Sequence, residues 1–424
     1  MRRIAVTGIG LISPLGNGPA QALANATAGR GAIRRLQTPW SGRLSAPLAA
    51  CVSFQAEEHF PPPRLRMLDR VSQFALVAAR QALADARLDL TAEDRGRTGV
   101  FIGSGMGGAL STDEGYLALY GSGCERLKPF SILMGMTNAP AAWIGIDYDL
   151  SGPNLTYSTA CSSSAVAIGE AWLRLRQGEI DLAIAGGSEA PLVYGAMKAW
   201  EALHTLARED PQDPSSSCKP FSADRSGLVL GEGAAILVLE DLTRALDRGA
   251  CVHGELLGYG LSTDASHITR PTVAGQASAM RAALRSGGLA PTFIDSINAH
   301  GTGTQANDSV ETAAIKEVFG ERAYRIPVSA TKAMHGHLLG ASGALELSLA
   351  LLALQQDVLL PTLHLKVPAA DCDLDYVPNC ARRGARARTV MSSSFAFGGT
   401  NAVLIASADT ERNAAAGENG AQVA

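Results

Sequence analysis

Short runs of consecutive apolar residues alternate along the chain with stretches in which apolar residues recur every third or fourth position. The first kind reads as strands buried on both faces, the second as amphipathic helices. Residues 3–7 open as a buried strand, and Gly8-Ile9-Gly10-Leu11-Ile12-Ser13 after it reads as a tight strand-to-helix turn. The 69–88 stretch places Val71, Phe74, Ala75, Ala78 and Leu83 on one side of a helix, and 100–103 is a short strand. Pro153-Asn154-Leu155-Thr156 can extend as another strand. Beyond it Ile168, Trp172 and Leu175 return at helical spacing, and Gly178 offers a left-handed stop. Strands are predicted over 180–185, 228–240, 252–261, 294–299, 390–395 and 402–406, and helices over 277–284, 310–318 and 344–354. From Asp409 the residues are small and polar, which predicts a disordered tail over 409–424.

The order of these elements repeats. In residues 1–250 a helix precedes a strand ending at Gly103, and a second strand feeds a turn at Cys161 and a long helix. In residues 251–408 a helix near Ala277 precedes a strand ending at His300, and a strand over 327–329 feeds a glycine-rich turn and the helix from Ala344. Such alternation predicts an α/β protein made of two similar halves, with mainly parallel sheets covered on both faces.

Composition narrows the function classes. A net charge of −4 over 424 residues gives no reason to expect nucleic acid as a partner. Seven scattered cysteines do not resemble a disulfide framework. No apolar run reaches membrane-spanning length, and Met1-Arg2-Arg3-Ile4 leads into a strand without a signal-peptide core, so a cytoplasmic location is expected. The Gly8–Ser13 stretch partly matches a dinucleotide fingerprint, but Ser13 stands where the third glycine belongs, and no nucleotide site is read there. Arg64, Arg66 and Arg70 form a basic corner, either solvated or a docking patch for an acidic partner.

Candidate chemistry begins at Tyr157-Ser158-Thr159-Ala160-Cys161-Ser162-Ser163-Ser164. A lone cysteine is more often a small buried hydrophobe. At a strand-to-helix junction, however, free backbone N–H groups and the helix dipole favour a thiolate, the nucleophile suited to accepting an acyl group. Asn298-Ala299-His300-Gly301-Thr302-Gly303-Thr304 follows a strand and brings backbone near a ligand. Lys332-Ala333-Met334-His335-Gly336-His337-Leu338-Leu339-Gly340 carries two more histidines, without further ligands at zinc spacing, so no metal is expected. Ser394-Phe395-Ala396-Phe397-Gly398-Gly399-Thr400-Asn401 breaks from a strand into a loop whose N–H groups suit an oxyanion.

These four stretches, in this order, resemble the chain-elongating β-ketoacyl-acyl-carrier-protein synthases, over residues 3 to 407. The resemblance implies the thiolase-like fold, duplicated halves in a five-layered αβαβα arrangement, usually dimeric. It implies Cys161 as acyl-accepting nucleophile and His300 and His337 as the pair driving malonyl decarboxylation. Lys332 and Glu346 match the charged pair behind the histidines, and Thr302 and Thr304 the pantetheine contacts. The N–H groups of Cys161 and Phe397 match the oxyanion hole, with Phe397 also the gate. Met106, Ala196 and Trp200 match acyl-pocket positions. Substrates would arrive on the phosphopantetheine of an acyl-carrier protein docking at Arg64, Arg66 and Arg70, with no bound cofactor. The partner subunit would be a second copy or a homologous ketosynthase-like chain.

The sequence departs from the family pattern at Ala396 for a glycine, which predicts a stiffer gate loop, and at Ser226 for an aspartate. His335 replaces a small residue, and Trp200 replaces a phenylalanine. These departures bear on substrate range, leaving a fatty-acid enzyme and a polyketide or polyene ketosynthase both open. An acyl-CoA thiolase would need a second active-site cysteine, absent from the Gly-His-Leu-Leu-Gly segment. A non-catalytic chain-length-factor-like subunit would lack Cys161.

Overall fold

The computed structural model describes residues 1–409, so the tail expected from Asp409 lies, but for that residue, outside the described part. The fold is two copies of one five-stranded motif. In the first, β1 (Ile4–Ile12) pairs antiparallel with β5 (Gly233–Asp241), and β5 antiparallel with β4 (Leu182–Glu189). Strand β4 pairs parallel with β2 (Thr98–Gly103), and β2 parallel with β3 (Asn154–Tyr157). In the second, β6 (Gly254–Thr263), β10 (Thr400–Ser407), β9 (Thr389–Phe395), β7 (Ser296–Asn298) and β8 (Val328–Ser329) repeat that order with the same strand directions. Each half is therefore a mixed sheet rather than the mainly parallel one predicted. Two antiparallel pairs arise because the last strand of each motif returns beside the first. The halves join where Ile4, Ala5 and Val6 of β1 pair with β6, making one ten-stranded sheet.

Helices α1 (Arg70–Ala86) and α3 (Val273–Gly287) cover the outer faces of the two halves. Helices α2 (Ser163–Gln177) and α5 (Ser342–Gln355) pack on each other between them, giving the thiolase-like layering. Helix α5 is buried on nearly every side, as a helix apolar all round must be. Each helix of that central layer begins directly after a turn, Ala160–Ser162 before α2 and Leu339–Ala341 before α5.

The expected turn at Gly8–Ser13 is instead the second half of β1. A Cβ on Gly8 or Gly10 would come within 2.1 and 1.9 Å of carbonyl oxygens of α1. The glycines let a helix lie directly on the strand; they do not bend the chain.

Candidate active site

Cys161 sits on a single 3₁₀ turn, Ala160–Ser162, between β3 and α2. Ala160 is held at φ +49°, a left-handed backbone costly for a side chain, so the turn is sharp and surrounding structure enforces it. Ser163 Oγ accepts from the Thr159 N–H, closing the turn (2.9 Å). The N–H groups of Phe397 and of Cys161 itself both act on the sulfur. Cys161 is buried, and that burial pushes its thiol up to about 11 against the opposing influence of Lys332. Burial thus outweighs Lys332 and the two backbone N–H groups, and favours the thiol over the thiolate that the helix start led one to expect.

The two histidines of the second half face this sulfur. Cys161 Sγ and one ring nitrogen each of His300 and His337 lie within 4.8 Å of one another. His337 Nδ1 accepts from the Leu339 N–H (3.2 Å) and lies 2.9 Å from Ser342 Oγ. A nitrogen receiving a backbone N–H has no proton, so Nε2 carries it, and among the described residues that buried atom has no hydrogen-bond partner. At His300 the Lys332 ammonium stands 3.4 Å from Nδ1, so Nδ1 accepts and Nε2 again carries the proton. Burial, first, and the Lys332 charge, second, hold both imidazoles well below their ordinary value. The result is two neutral rings, each with an Nε2–H to donate. A metal could use the Cys161–His300–His337 set only if each ring moved its proton to Nδ1, against the Leu339 N–H and the Lys332 ammonium.

Lys332 is fully buried and divides its protons among Glu346 Oε1 (2.5 Å), the His300 carbonyl (2.6 Å) and His300 Nδ1. Burial raises the Glu346 carboxyl while Lys332 opposes the rise. Two buried carboxylates at this site escaped the sequence reading. Glu311 of α4 (Gln305–Phe319) accepts from the His300 and Gly301 N–H groups (2.7 and 2.9 Å), and Asp308 from those of Phe221 and Thr302. Their signal was legible. Asp308 and Glu311 stand three apart in the opening turns of a helix that starts directly after the glycine-rich His300 loop.

Other expected residues divide. Thr302 and Thr304 line the cavity that contains Cys161, His300, His337 and Phe397, with their hydroxyls 2.9 Å apart. Met106, Ala196 and Trp200 do not line it. Met106 is partly exposed, and Ala196 packs with Ala109 and Val193. Trp200 touches the cavity wall through Phe397, its ring stacked on that residue with centroids 5.9 Å apart. Of the basic corner, Arg70 is spent on a two-pronged bond to Glu232 (2.8 and 2.7 Å) and stacks on Phe74. Arg64 pairs with Asp147 and lies over Trp143, and Arg66 is exposed. The corner is thus not three free cations.

The departures also gain locations. Ala396 does not take the left-handed backbone; Gly398 and Gly399 do (φ +88° and +78°), so the methyl adds no such strain to the gate loop. His335 is buried, with Nδ1 2.7 Å from the Gly336 carbonyl and Nε2 2.9 Å from Thr331 Oγ1, and does not line the cavity. Ser226 Oγ accepts from the Arg208 N–H.

A buried thiol close to two imidazoles, at the junction of duplicated α/β halves, is the arrangement of the thiolase-like condensing class. Residues 1–245 match the model of the beta-ketoacyl synthase N-terminal domain, and 253–366 that of the C-terminal domain. The chain is 41% identical to nodulation protein E of Rhizobium meliloti over 95% of this chain and 98% of that protein. It is 40% identical to 3-oxoacyl-[acyl-carrier-protein] synthase 2 of Coxiella burnetii over 96% and 98%. The solved ishigamide ketosynthase/chain length factor superposes with a TM-score of 0.86 at 36% identity, over 96% of this chain and 99% of that one. The chain belongs to the beta-ketoacyl synthase family and is an acyltransferase of that family. Among the described residues no helix is long and apolar enough to cross a membrane.

Proposed function

We propose that this protein condenses a malonyl thioester with an acyl group held on Cys161, taking both from an acyl-carrier protein. The pair of neutral Nε2–H donors facing the sulfur carries this reading. In the first step the Cys161 sulfur replaces the carrier thiol on the acyl carbonyl, and the thiol proton leaves with the carrier. In the second, the bond from malonyl C2 to its carboxylate breaks. Carbon dioxide departs, and the electron pair becomes an enolate on the thioester oxygen, which the two N–H groups stabilise. Imidazolium rings could quench that enolate with a proton; neutral rings stabilise it with far less tendency to do so. In the third, the enolate carbon attacks the acyl-Cys161 carbonyl, whose oxygen is received by the N–H groups of Cys161 and Phe397. The sulfur leaves and takes a proton, so one proton is consumed overall. Lys332 and Glu346 hold the orientation and charge of His300, and Thr302 and Thr304 receive the pantetheine arm.

The same reading makes the protein cytoplasmic and without a resident cofactor. Its partner is a second copy or a homologous ketosynthase-like subunit. Tyr120 and Ile132 are 84% and 74% exposed, and among the described residues no strand pairs with the outer edge of β3; the first supports an apolar contact with a partner and the second an edge contact.

Trp200 sets acyl range through its stack on Phe397. Opening the gate onto a long saturated chain must part the two rings, and each methylene left unburied forfeits roughly 0.8 kcal/mol. Incubating the protein with malonyl- and acyl-loaded carrier proteins of graded length, with product mass as readout, tests both statements. Elongation by a two-carbon unit is expected, with a length profile that broadens in Trp200→Ala. No product at any length sinks the reaction, and an unchanged profile removes Trp200 from specificity.

A further inference from the structure

Strand β4 ends on Glu189, a fully buried carboxylate that the chemistry above does not use. Its Oε2 accepts from the N–H groups of Gly105 (2.7 Å) and Gly340 (2.9 Å). Its Oε1 accepts from the Met106 N–H (2.9 Å) and the Ser104 hydroxyl (3.3 Å). The groups acting on it are backbone and hydroxyl donors, not a cation, and burial still raises the carboxyl to about 7. Packing alone would be served more cheaply by an apolar side chain.

The donors come from two loops that the chain order keeps far apart. Residues 104–107 follow β2 in the first half. Gly340 belongs to the turn Leu339–Ala341 of the second half, three residues after His337. The loops touch across Glu189: a Cβ on Gly340 would lie 2.6 Å from the Gly105 nitrogen and 2.7 Å from Glu189 Oε2. Leu339, the residue before Gly340, is held at φ +45°, and its N–H is the donor that keeps the proton of His337 on Nε2. An unbroken path therefore runs from the Glu189 carboxylate through Gly340 and the Leu339 N–H to the His337 ring.

We propose that Glu189 is a positioning residue for decarboxylation, fixing the turn that aims His337 Nε2–H against the loop that follows β2. This rests on the condensing reaction proposed above. Glu189→Gln leaves one acceptor oxygen and turns an NH₂ toward backbone donors, so one loop is released. Displacement of about 1 Å at a reacting group costs on the order of 10²-fold in rate.

The test measures acyl transfer to Cys161 by protein mass and malonyl-carrier decarboxylation by carbon dioxide release. The expected result for Glu189→Gln is acyl transfer within ~3-fold of wild type and decarboxylation kcat reduced ~30- to 100-fold at a KM within ~3-fold. Glu189→Asp, which keeps both oxygens one methylene further back, should recover part of the lost kcat. A decarboxylation kcat within threefold of wild type overturns the proposal, as does a parallel loss of acyl transfer and decarboxylation. Should the Gln variant be insoluble, Glu189→Asp carries the same split, smaller in size, and a parallel loss there overturns it equally. A wild-type protein that releases no carbon dioxide from a malonyl thioester overturns the condensing reaction and this inference with it. That outcome is distinct from a competent wild type whose variants keep their rate.

Discussion

Replacing Lys332 by methionine keeps an apolar buried stem and removes the ammonium with its charge and its donors. Three contacts go at once: Glu346 Oε1, the His300 carbonyl and His300 Nδ1. Among the described residues Glu346 Oε2 has no hydrogen-bond partner, so the buried carboxylate keeps only the Asn298 side chain to oppose its burial. Stranding one member of a buried pair costs about 3–5 kcal/mol. Unfolding entropy of roughly 2.1 cal/mol/K per residue gives about 0.9 kcal/mol/K for a chain of this length, so Tm should fall by about 3–6 °C. The chemical effect has a separate cause. Without the ammonium, His300 Nδ1 is free to take the proton, and the enolate loses one of its two donors, worth about 10²- to 10³-fold in decarboxylation.

The double variant Lys332→Met/Glu346→Leu separates the two effects. With neither charge buried, most of the lost Tm should return while decarboxylation stays low. Recovery of both together would refute the assignment of Lys332 to the His300 tautomer. The pH dependence follows from Glu346. Its folded value is raised, so its contribution to stability is present below the ordinary carboxylate range and lost as pH rises through the folded value. Removing Lys332 takes away the influence opposing that rise. The Tm gap between wild type and Lys332→Met should therefore widen as pH rises above the ordinary carboxylate range; a constant gap would contradict it.

Alkylation of Cys161 by iodoacetamide should keep accelerating past pH 9, because burial pushes its thiol up to about 11, and a rate plateau near neutrality would show that the helix end prevails. His337→Ala should lose decarboxylation ~10²-fold or more while Cys161 still accepts an acyl group, whereas His335→Ala should mainly lower Tm; the reverse ranking in the carbon dioxide assay would move the donor role to His335. Arg66→Glu should raise the KM for acyl-carrier protein with an unchanged melting curve. Arg70→Glu should instead melt early by stranding Glu232, and an intact Tm there would return Arg70 to the docking surface.

The alternation of apolar runs and helical spacing was enough to place at least part of every strand of the ten-stranded sheet and the long helices that cover it, because burial of each element leaves a local periodicity, while short strands such as Ile33–Arg35 and Leu48–Ala50 left no such signal. The duplication was legible for the same reason, each half repeating strand, turn and central helix in one order. Cys161, His300 and His337 were legible because each lies at a glycine- or serine-rich break following a strand. Local pattern says nothing about distance along the chain, and what depends on distance waited for the tertiary structure. Strand direction was decided by the return of β5 beside β1 and of β10 beside β6, which turned expected parallel sheets into mixed ones. Gly8 and Gly10 looked like a turn because their true reason, contact with carbonyls of α1, is made by residues some seventy positions away. The same holds for Arg70, a surface cation by sequence and the half-buried partner of the buried Glu232 by folding. It holds for Glu189, whose donors come from both halves. Protonation also belonged to the fold alone. Whether a thiol ionises or an imidazole stays neutral is set by desolvation and by the charges brought near it, and neither exists until the two halves have closed around the site.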